Sequence, residues 1–75
     1  MKVLLFGILS EHIQTSKVPW ESFKTVKELE SFLMEQFPVL HNIPIQFAVN
    51  HQMVSSDFEL KNVEELALMP PFSGG

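Results

Sequence analysis

The chain has 75 residues, of which 45% are hydrophobic, so it is long enough for one small folded domain and too apolar to be disordered. It has no cysteine, which excludes disulfides, thiolate metal sites and a cysteine nucleophile, and which favours a cytoplasmic over a secreted protein. Nine acidic residues against five basic ones give a net charge of −4, which argues against nucleic-acid binding, and no segment reaches the roughly 18 apolar residues of a membrane span.

Two strands are predicted in the first third of the chain. The continuous apolar run at 2–9 (KVLLFGIL) is typical of a strand that is buried on both faces, at the centre of a sheet. Residues 10–16 are polar and predict a loop. A second strand is predicted at 18–23, where Pro19 restricts it to an edge or a bulge because proline cannot donate a backbone hydrogen bond.

The helix is the clearest element in the sequence. Thr25 can cap its first turn, and Glu28 three residues later completes a capping box. Apolar residues then recur at spacings of three and four, which places them on one face of the helix: Val26, Leu29, Leu33 and Phe37. Pro38 ends the helix because it disfavours helical backbone angles at the residue before it.

The second half of the chain predicts three more strands. Large apolar residues at Ile45, Phe47 and Val49 alternate with Gln46 and Ala48, as they do in a strand with one buried face. Asn50–His51 predicts a tight turn, since asparagine tolerates a positive φ, and residues 52–54 return as the partner strand. Residues 65–69 (ELALM) form the last strand, which ends at Pro70–Pro71.

The predicted order is strand, strand, helix, strand, strand, strand, which points to a mixed sheet packed on one main helix. A right-handed crossover through the helix would place the first and last strands side by side and parallel, in the middle of the sheet. This is an α+β fold of the β-grasp, ubiquitin-like type. The domain is expected to span residues 1–71, followed by a flexible C-terminal tail at 72–75.

The body of the domain carries no pattern typical of a catalytic or metal site. His12, His41 and His51 lie far apart and lack metal-ligand spacing, so we expect no bound metal. The carboxylates of the helix are typical of a solvated face. Gly7 stands alone inside the predicted first strand, so it does not form a glycine-rich phosphate loop.

The C-terminus is the segment that the sequence marks for chemistry. Pro70 and Pro71 fix φ and lack N–H donors, so strand pairing stops there and the chain leaves the domain stiffly. Gly74–Gly75 has no side chains, so it can thread a narrow channel in another protein. The structural alternative is a frayed end, since termini are commonly disordered.

A resemblance to a known family lies in these same residues. The ending Ala67-Leu68-Met69-Pro70-Pro71-Phe72-Ser73-Gly74-Gly75 resembles that of the small subunits of molybdopterin synthase, which are ubiquitin-like sulfur carriers. Three other places agree with the family: KVLLFG at 2–7, TVKEL at 25–29 and FAVN at 47–50. The resemblance covers the whole chain, and its specific part is the Pro-Pro-x-Ser-Gly-Gly ending.

The sequence departs from the family at three places. Family members often carry glycines in the loop after the first strand and in the turn before the last strand. Here those places read Ile13–Thr15 and Lys61–Val63. Phe72 stands where a smaller aliphatic residue is common. None of the departures falls on the terminal Gly-Gly.

The resemblance implies that Gly75 carries the chemistry. Its carboxylate would be adenylated, converted to a thiocarboxylate, and used to donate sulfur to cyclic pyranopterin monophosphate in molybdenum cofactor biosynthesis. Gly74 and Ser73 would thread the tail into the partner, and no cofactor would be bound tightly.

The implied partners are the large, catalytic synthase subunit and an ATP-dependent adenylyltransferase related to ubiquitin-activating enzymes. The chain would then be a non-catalytic sulfur donor within a heterotetramer. The residues expected to contact these partners precede the glycines: Phe72, Pro71, Pro70 and Met69.

Three alternatives stay open on the sequence. The chain could carry sulfur for another pathway, such as thiamine thiazole synthesis. It could be a protein modifier of the ubiquitin type, although ubiquitin has a basic residue before its Gly-Gly and this chain has Ser73. The third alternative is a β-grasp interaction module with no chemistry at its terminus.

Overall fold

In the computed structural model, which describes residues 1–71, the sheet contains β1 (Lys2–Leu5), β2 (Gln46–Val49), β3 (Gln52–Val54) and β4 (Glu65–Met69). The strand order is β1-β4-β2-β3. β1 and β4 are parallel, whereas β4, β2 and β3 are antiparallel neighbours. The helices are α1 (Leu9–His12) and α2 (Val26–Gln36), with 3-10 turns at Thr15–Lys17 and Pro38–Asn42. The predicted α+β, β-grasp fold is confirmed.

The core lies between α2 and one face of the sheet. Three of the four predicted helix-stripe residues, Val26, Leu29 and Leu33, are buried there, and Phe37 packs at the margin. The sheet, α1 and the connecting segments supply the other buried members of the cluster: Leu9, Ile13, Val18, Leu40, Phe47, Val49, Leu66 and Leu68. Burial of this apolar cluster is the main driving force for the fold.

The predicted helix start is confirmed, with one difference in its capping. The Thr25 hydroxyl accepts a hydrogen bond from the Glu28 N–H at 3.2 Å, as in a capping box. The Glu28 carboxylate, however, accepts from the N–H of Lys24, at 3.0 Å, rather than from that of the cap residue. The N–H of Val26, which has no partner within the helix, donates to the Phe58 carbonyl, so a distant loop completes the cap.

The predicted strand at 18–23 is wrong. A 3-10 turn at Thr15–Lys17 leads into this segment, and its hydrogen bonds are local. The Trp20 N–H donates to the Val18 carbonyl, and its indole N–H donates to the Thr15 carbonyl. Pro19 has no N–H to offer a neighbouring strand, so local turns satisfy this part of the backbone instead.

The prediction of a long, central first strand is also wrong. β1 ends at Leu5, and the chain turns at Gly7, which has a φ of 60°. The Gly7 carbonyl accepts hydrogen bonds from both the N–H and the hydroxyl of Ser10, which start α1. Because residues 18–23 do not pair with it, β1 is an edge strand of the described sheet. β1 and β4 are parallel neighbours as predicted. Of these two strands, only β4 lies in the interior of the sheet.

Two asparagines take the positive-φ positions that tight turns require. Asn50 and His51 have φ values of 50° and 73°, which are those of a type I′ hairpin turn, so the predicted turn between β2 and β3 is confirmed. Asn62 has a φ of 53° before β4, in the turn where the resemblance implies a glycine. Asparagine tolerates this conformation better than most residues, so the departure from glycine keeps the turn.

No helix within residues 1–71 has the length and apolar composition to cross a membrane. The predicted tail, residues 72–75, lies outside the residues that the structure describes. The domain boundary at residue 71 therefore stays a prediction.

Candidate functional site

The base of the C-terminal tail lies at the end of the central strand. Met69 is the last residue of β4 and is paired with Gln46 of β2. Pro70 and Pro71 follow and are both half-buried. β4 ends where the prolines begin because neither can donate to a ladder. The central strand β4 therefore leads directly into the C-terminal segment.

The opposite end of β4 is held by a network of hydrogen bonds from Asn50. Its side-chain oxygen accepts from the N–H groups of Glu64 and Glu65, at 2.8 and 3.0 Å. Its backbone N–H donates to the Glu65 carbonyl at 2.8 Å, and its side-chain amide donates to the Asn62 carbonyl at 3.4 Å. One hairpin residue thus ties the start of the central strand to the β2–β3 turn.

The side of the sheet turned away from α2 is apolar near the tail. Leu66 and Leu68 are fully buried on the α2 side, so their neighbours in β4 point to the other side. We call that side the open face, and its apolar members are Leu4, Phe6, Ala48, Met53, Ala67 and Met69.

Strand register aligns four of these residues across the open face. Leu4 of β1 lies beside Ala67 of β4, which lies beside Ala48 of β2, which lies beside Met53 of β3. The two central alanines are only 6% exposed, while Met53 at the margin is 55% exposed. Phe6 lies just beyond β1 and is 45% exposed. Its N–H donates a hydrogen bond to the Leu68 carbonyl. A continuous apolar row with exposed apolar side chains at its margin, here Met53 and the nearby Phe6, is typical of a protein-binding surface.

The charged residues of the sheet lie at the end remote from the tail. Lys2 is paired with Glu65, the first residue of β4, and the His51 imidazole lies 3.4 Å from the Glu65 carboxylate. Within residues 1–71, no three His, Asp or Glu side chains come close enough together to hold a metal ion. The tail therefore leaves the domain at the apolar end of the open face.

Two clefts lie elsewhere on the domain. One, of about 310 Å³, is lined by residues that include Trp20, Phe23 and Val63, and the other, of about 390 Å³, lies between α2 and β3. Neither is lined by Met69 or Pro70. These clefts therefore do not enclose the base of the tail.

Comparison with known proteins agrees with this arrangement. The model of the ThiS family matches residues 3–75, which is nearly the whole chain and includes the terminal Gly-Gly. The chain is 31% identical, over 83 aligned positions, to a protein of Caenorhabditis briggsae named molybdopterin synthase sulfur carrier subunit. That alignment covers 100% of this chain and 96% of the relative. The chain belongs to the ThiS family.

The resemblance inferred from the C-terminal motif is therefore confirmed. Of the partner-contact residues predicted from it, this ThiS-family chain places Met69, Pro70 and Pro71 together at the end of β4. The other predicted site residues lie outside the described residues: Phe72, Ser73, Gly74 and Gly75. Their roles stay predictions.

The sequence prediction of the site omitted most of the open face. Leu4 and Phe6 were assigned to a strand buried on both sides, and Met53 to the short return strand without a role. Alternation along the 65–69 sequence (ELALM) does place Leu66 and Leu68 on one side of the strand and Met69 on the other, so this part of the face could be read from the sequence. The sequence does not show which strands lie beside β4, and those neighbours decide which side chains share its exposed side.

Proposed function

We propose that this chain is the sulfur carrier subunit of molybdopterin synthase. In this function Gly75 is adenylated, converted to a thiocarboxylate, and used to donate sulfur to cyclic pyranopterin monophosphate. The observation that carries the proposal is the family match through residue 75, since it includes the Gly-Gly ending on which the chemistry depends. The name of the Caenorhabditis briggsae relative supports the choice of pathway.

The proposed chemistry begins with activation of a poor electrophile. An ATP-dependent adenylyltransferase would join the Gly75 carboxylate to AMP and release pyrophosphate, which gives a mixed anhydride with a good leaving group. A hydrosulfide-level sulfur nucleophile would then attack the carbonyl carbon and expel AMP. The product is a thiocarboxylate, and this step changes no oxidation state.

Delivery of the sulfur would take place on the large synthase subunit. Each carrier brings one sulfur atom, whereas the dithiolene of the product contains two, so two loaded chains are consumed for each product. Loss of sulfur and addition of water return Gly75 to a carboxylate. The bases and the substrate-binding groups would belong to the large subunit, so this chain would act as the covalent donor.

The open face would be the docking surface for both partners. Phe6 and Met53 present exposed apolar side chains there, and Met69 connects this surface to the base of the tail. A partner that covers the row would lie beside the point at which the tail leaves the domain. The adenylyltransferase and the large subunit would then bind in succession, because both need the same terminus.

The loading reaction tests the proposal. The protein is incubated with the adenylyltransferase of the same organism, ATP and sulfide, and its intact mass is measured. We expect a gain of about 16 Da, the difference between sulfur and oxygen at the terminal carboxylate. Deleting Gly75, or adding one alanine after it, should abolish the gain while the circular dichroism spectrum stays unchanged.

The acceptor is tested in a second reaction. Loaded protein is mixed with the large synthase subunit and cyclic pyranopterin monophosphate, and the formation of the dithiolene is followed. Loading without transfer to this acceptor would favour a carrier for another pathway, such as thiazole synthesis. No loading by an enzyme that is active on its own carrier would leave the β-grasp interaction module as the better description.

A further inference from the structure

One glycine of the domain lies against the base of the tail. The chain has three glycines, of which two form the terminal Gly-Gly and the third is Gly7, at the turn that follows β1. Gly7 has a φ of 60°, and a Cβ built on it would lie 3.3 Å from Cγ and 3.7 Å from Cδ of Pro70. Both the backbone angle and the close approach of the proline ring thus favour glycine.

Gly7 is held firmly in this position. On one side, the N–H of Phe6 donates to the Leu68 carbonyl at 3.0 Å, which continues the β1–β4 ladder up to the turn. On the other side, the Gly7 carbonyl accepts from the N–H of Ser10 at 3.2 Å and from its hydroxyl at 2.8 Å. The surface that meets the Pro70 ring is therefore fixed backbone, which cannot yield as a flexible side chain would.

Neither proline after Met69 can donate a backbone hydrogen bond that would fix the direction of the chain. Pro70 and Pro71 have no N–H, so ladder bonds from this segment stop at the end of β4. Packing of the Pro70 ring against Gly7 is the contact that replaces them. The direction in which the described chain ends, at Pro71, is therefore set where the Pro70 ring meets Gly7.

We propose that Gly7 is a positioning residue for the C-terminal tail. By leaving room for the Pro70 ring against the end of β1, it sets the direction in which the chain leaves the domain. The inference rests on the proposed function of Gly75 as the sulfur carrier. Gly7 would act through Pro70, whose ring lies against its backbone.

Two substitutions at position 7 test the proposal in the loading reaction. Gly7→Ala adds a Cβ and strains the positive φ, whereas Gly7→Asn adds the same Cβ with less strain, because asparagine tolerates this angle. Since a misplacement of about 1 Å can cost roughly 100-fold in rate, we expect kcat for loading to fall about tenfold or more in both variants. The KM of the adenylyltransferase for this protein should change little, because the open face still binds the enzyme.

Two further proteins separate positioning from stability. Val26→Ala, in the core at the start of α2, should lower the Tm yet load with the kcat of the original protein. In a Pro70→Ala background, Gly7→Asn should lower the kcat for loading much less than it does in the protein that keeps the proline ring. Equal kcat for Gly7→Asn and the original protein, or a loss no larger than that of Val26→Ala, would overturn the proposal. Absence of loading in the original protein would instead refute the carrier function.

Discussion

Strand β4 is held differently at its two ends. At its start, the Asn50 side chain accepts hydrogen bonds from the N–H groups of Glu64 and Glu65, and the Asn50 backbone bonds the Glu65 carbonyl. At its end, Pro70 has no N–H, and its ring packs against the backbone of Gly7 instead. Side-chain hydrogen bonds thus hold the start of the strand, whereas packing of the Pro70 ring against Gly7 holds the described chain just beyond its end.

The difference suggests that residues at the start of β4 stabilise the domain, whereas residues at its end serve partner binding and sulfur loading. The start of β4 is joined to the hairpin turn and through it to the rest of the sheet, so changes there should lower the free energy of unfolding. Within residues 1–71, the end of β4 has ladder pairing with its neighbours but no side-chain network like that of Asn50, so changes there should alter partner binding and sulfur loading while the domain stays folded. Four substitutions test this division, from the largest expected effect to the smallest.

Asn50→Ala should give the largest loss of stability. It removes an acceptor shared by two N–H groups and places alanine at a φ of 50°, so we expect unfolding to become easier by about 2–4 kcal/mol. Urea denaturation measures the change. Asn50→Gly is the matched control, because it relieves the backbone strain but still lacks the acceptor. If Asn50→Gly were as stable as the original protein, the hydrogen bonds would not be what holds the start of β4.

Phe6→Ala should weaken partner binding more than it weakens the fold. Phe6 is 45% exposed on the open face, so its loss should reduce affinity for the large subunit by about 1–2 kcal/mol, as measured by calorimetry. Phe58→Ala is matched in residue type and, at 40%, in exposure, but Phe58 lies in the loop between β3 and β4, where its carbonyl accepts from the N–H of Val26 at the start of α2. An equal loss of affinity in the two variants would exclude the open face as the specific docking surface.

Thr25→Ala should destabilise the domain without touching either end of β4. It removes the side-chain cap of α2, which is worth about 1 kcal/mol. Thr25→Ser keeps the hydroxyl and should restore most of that stability in thermal unfolding. Both variants should load sulfur at the original rate once folded, and a specific loading defect would show that the division between stability and function is incomplete.

His51→Asn should have the smallest effect. It removes the imidazole beside Glu65 but keeps a residue that tolerates the φ of 73°. The His51 side chain is 80% exposed, so its pairing with the carboxylate should contribute less than about 0.5 kcal/mol to unfolding. A larger loss in urea denaturation would mean that the ion pair, as well as Asn50, holds the start of β4.

Local signals predicted most of the fold. The cap at Thr25, the apolar stripe of α2, the turn at Asn50 and the proline stop after Met69 each follow from residues that are adjacent or nearly so in sequence. The strand at 18–23 failed because its residues favour extended structure while Pro19 and the local turn bonds of Trp20 oppose pairing. That competition is decided by tertiary contacts, which propensity does not report.

The site was only partly predictable, for a similar reason. The proposed chemistry of the terminus follows from the family resemblance, which is carried by residues that are adjacent in sequence, Pro70, Pro71 and the terminal glycines. The open face and the Gly7 contact could not be predicted, because they depend on which strand lies beside β4 and on where β1 ends. A residue that lies 63 positions before Pro70, as Gly7 does, becomes its neighbour only through the parallel pairing of β1 and β4.

The position of the added sulfur atom tests the central claim most directly. The last lysine is Lys61, so cleavage of loaded protein after lysine releases residues 62–75 as one peptide, which can be sequenced by tandem mass spectrometry. We predict that the mass increase of about 16 Da resides on Gly75 alone, as a terminal thiocarboxylate requires. Sulfur transfer from protein whose Gly75 keeps an unmodified carboxylate, or an increase located on any other residue, would contradict the proposed function.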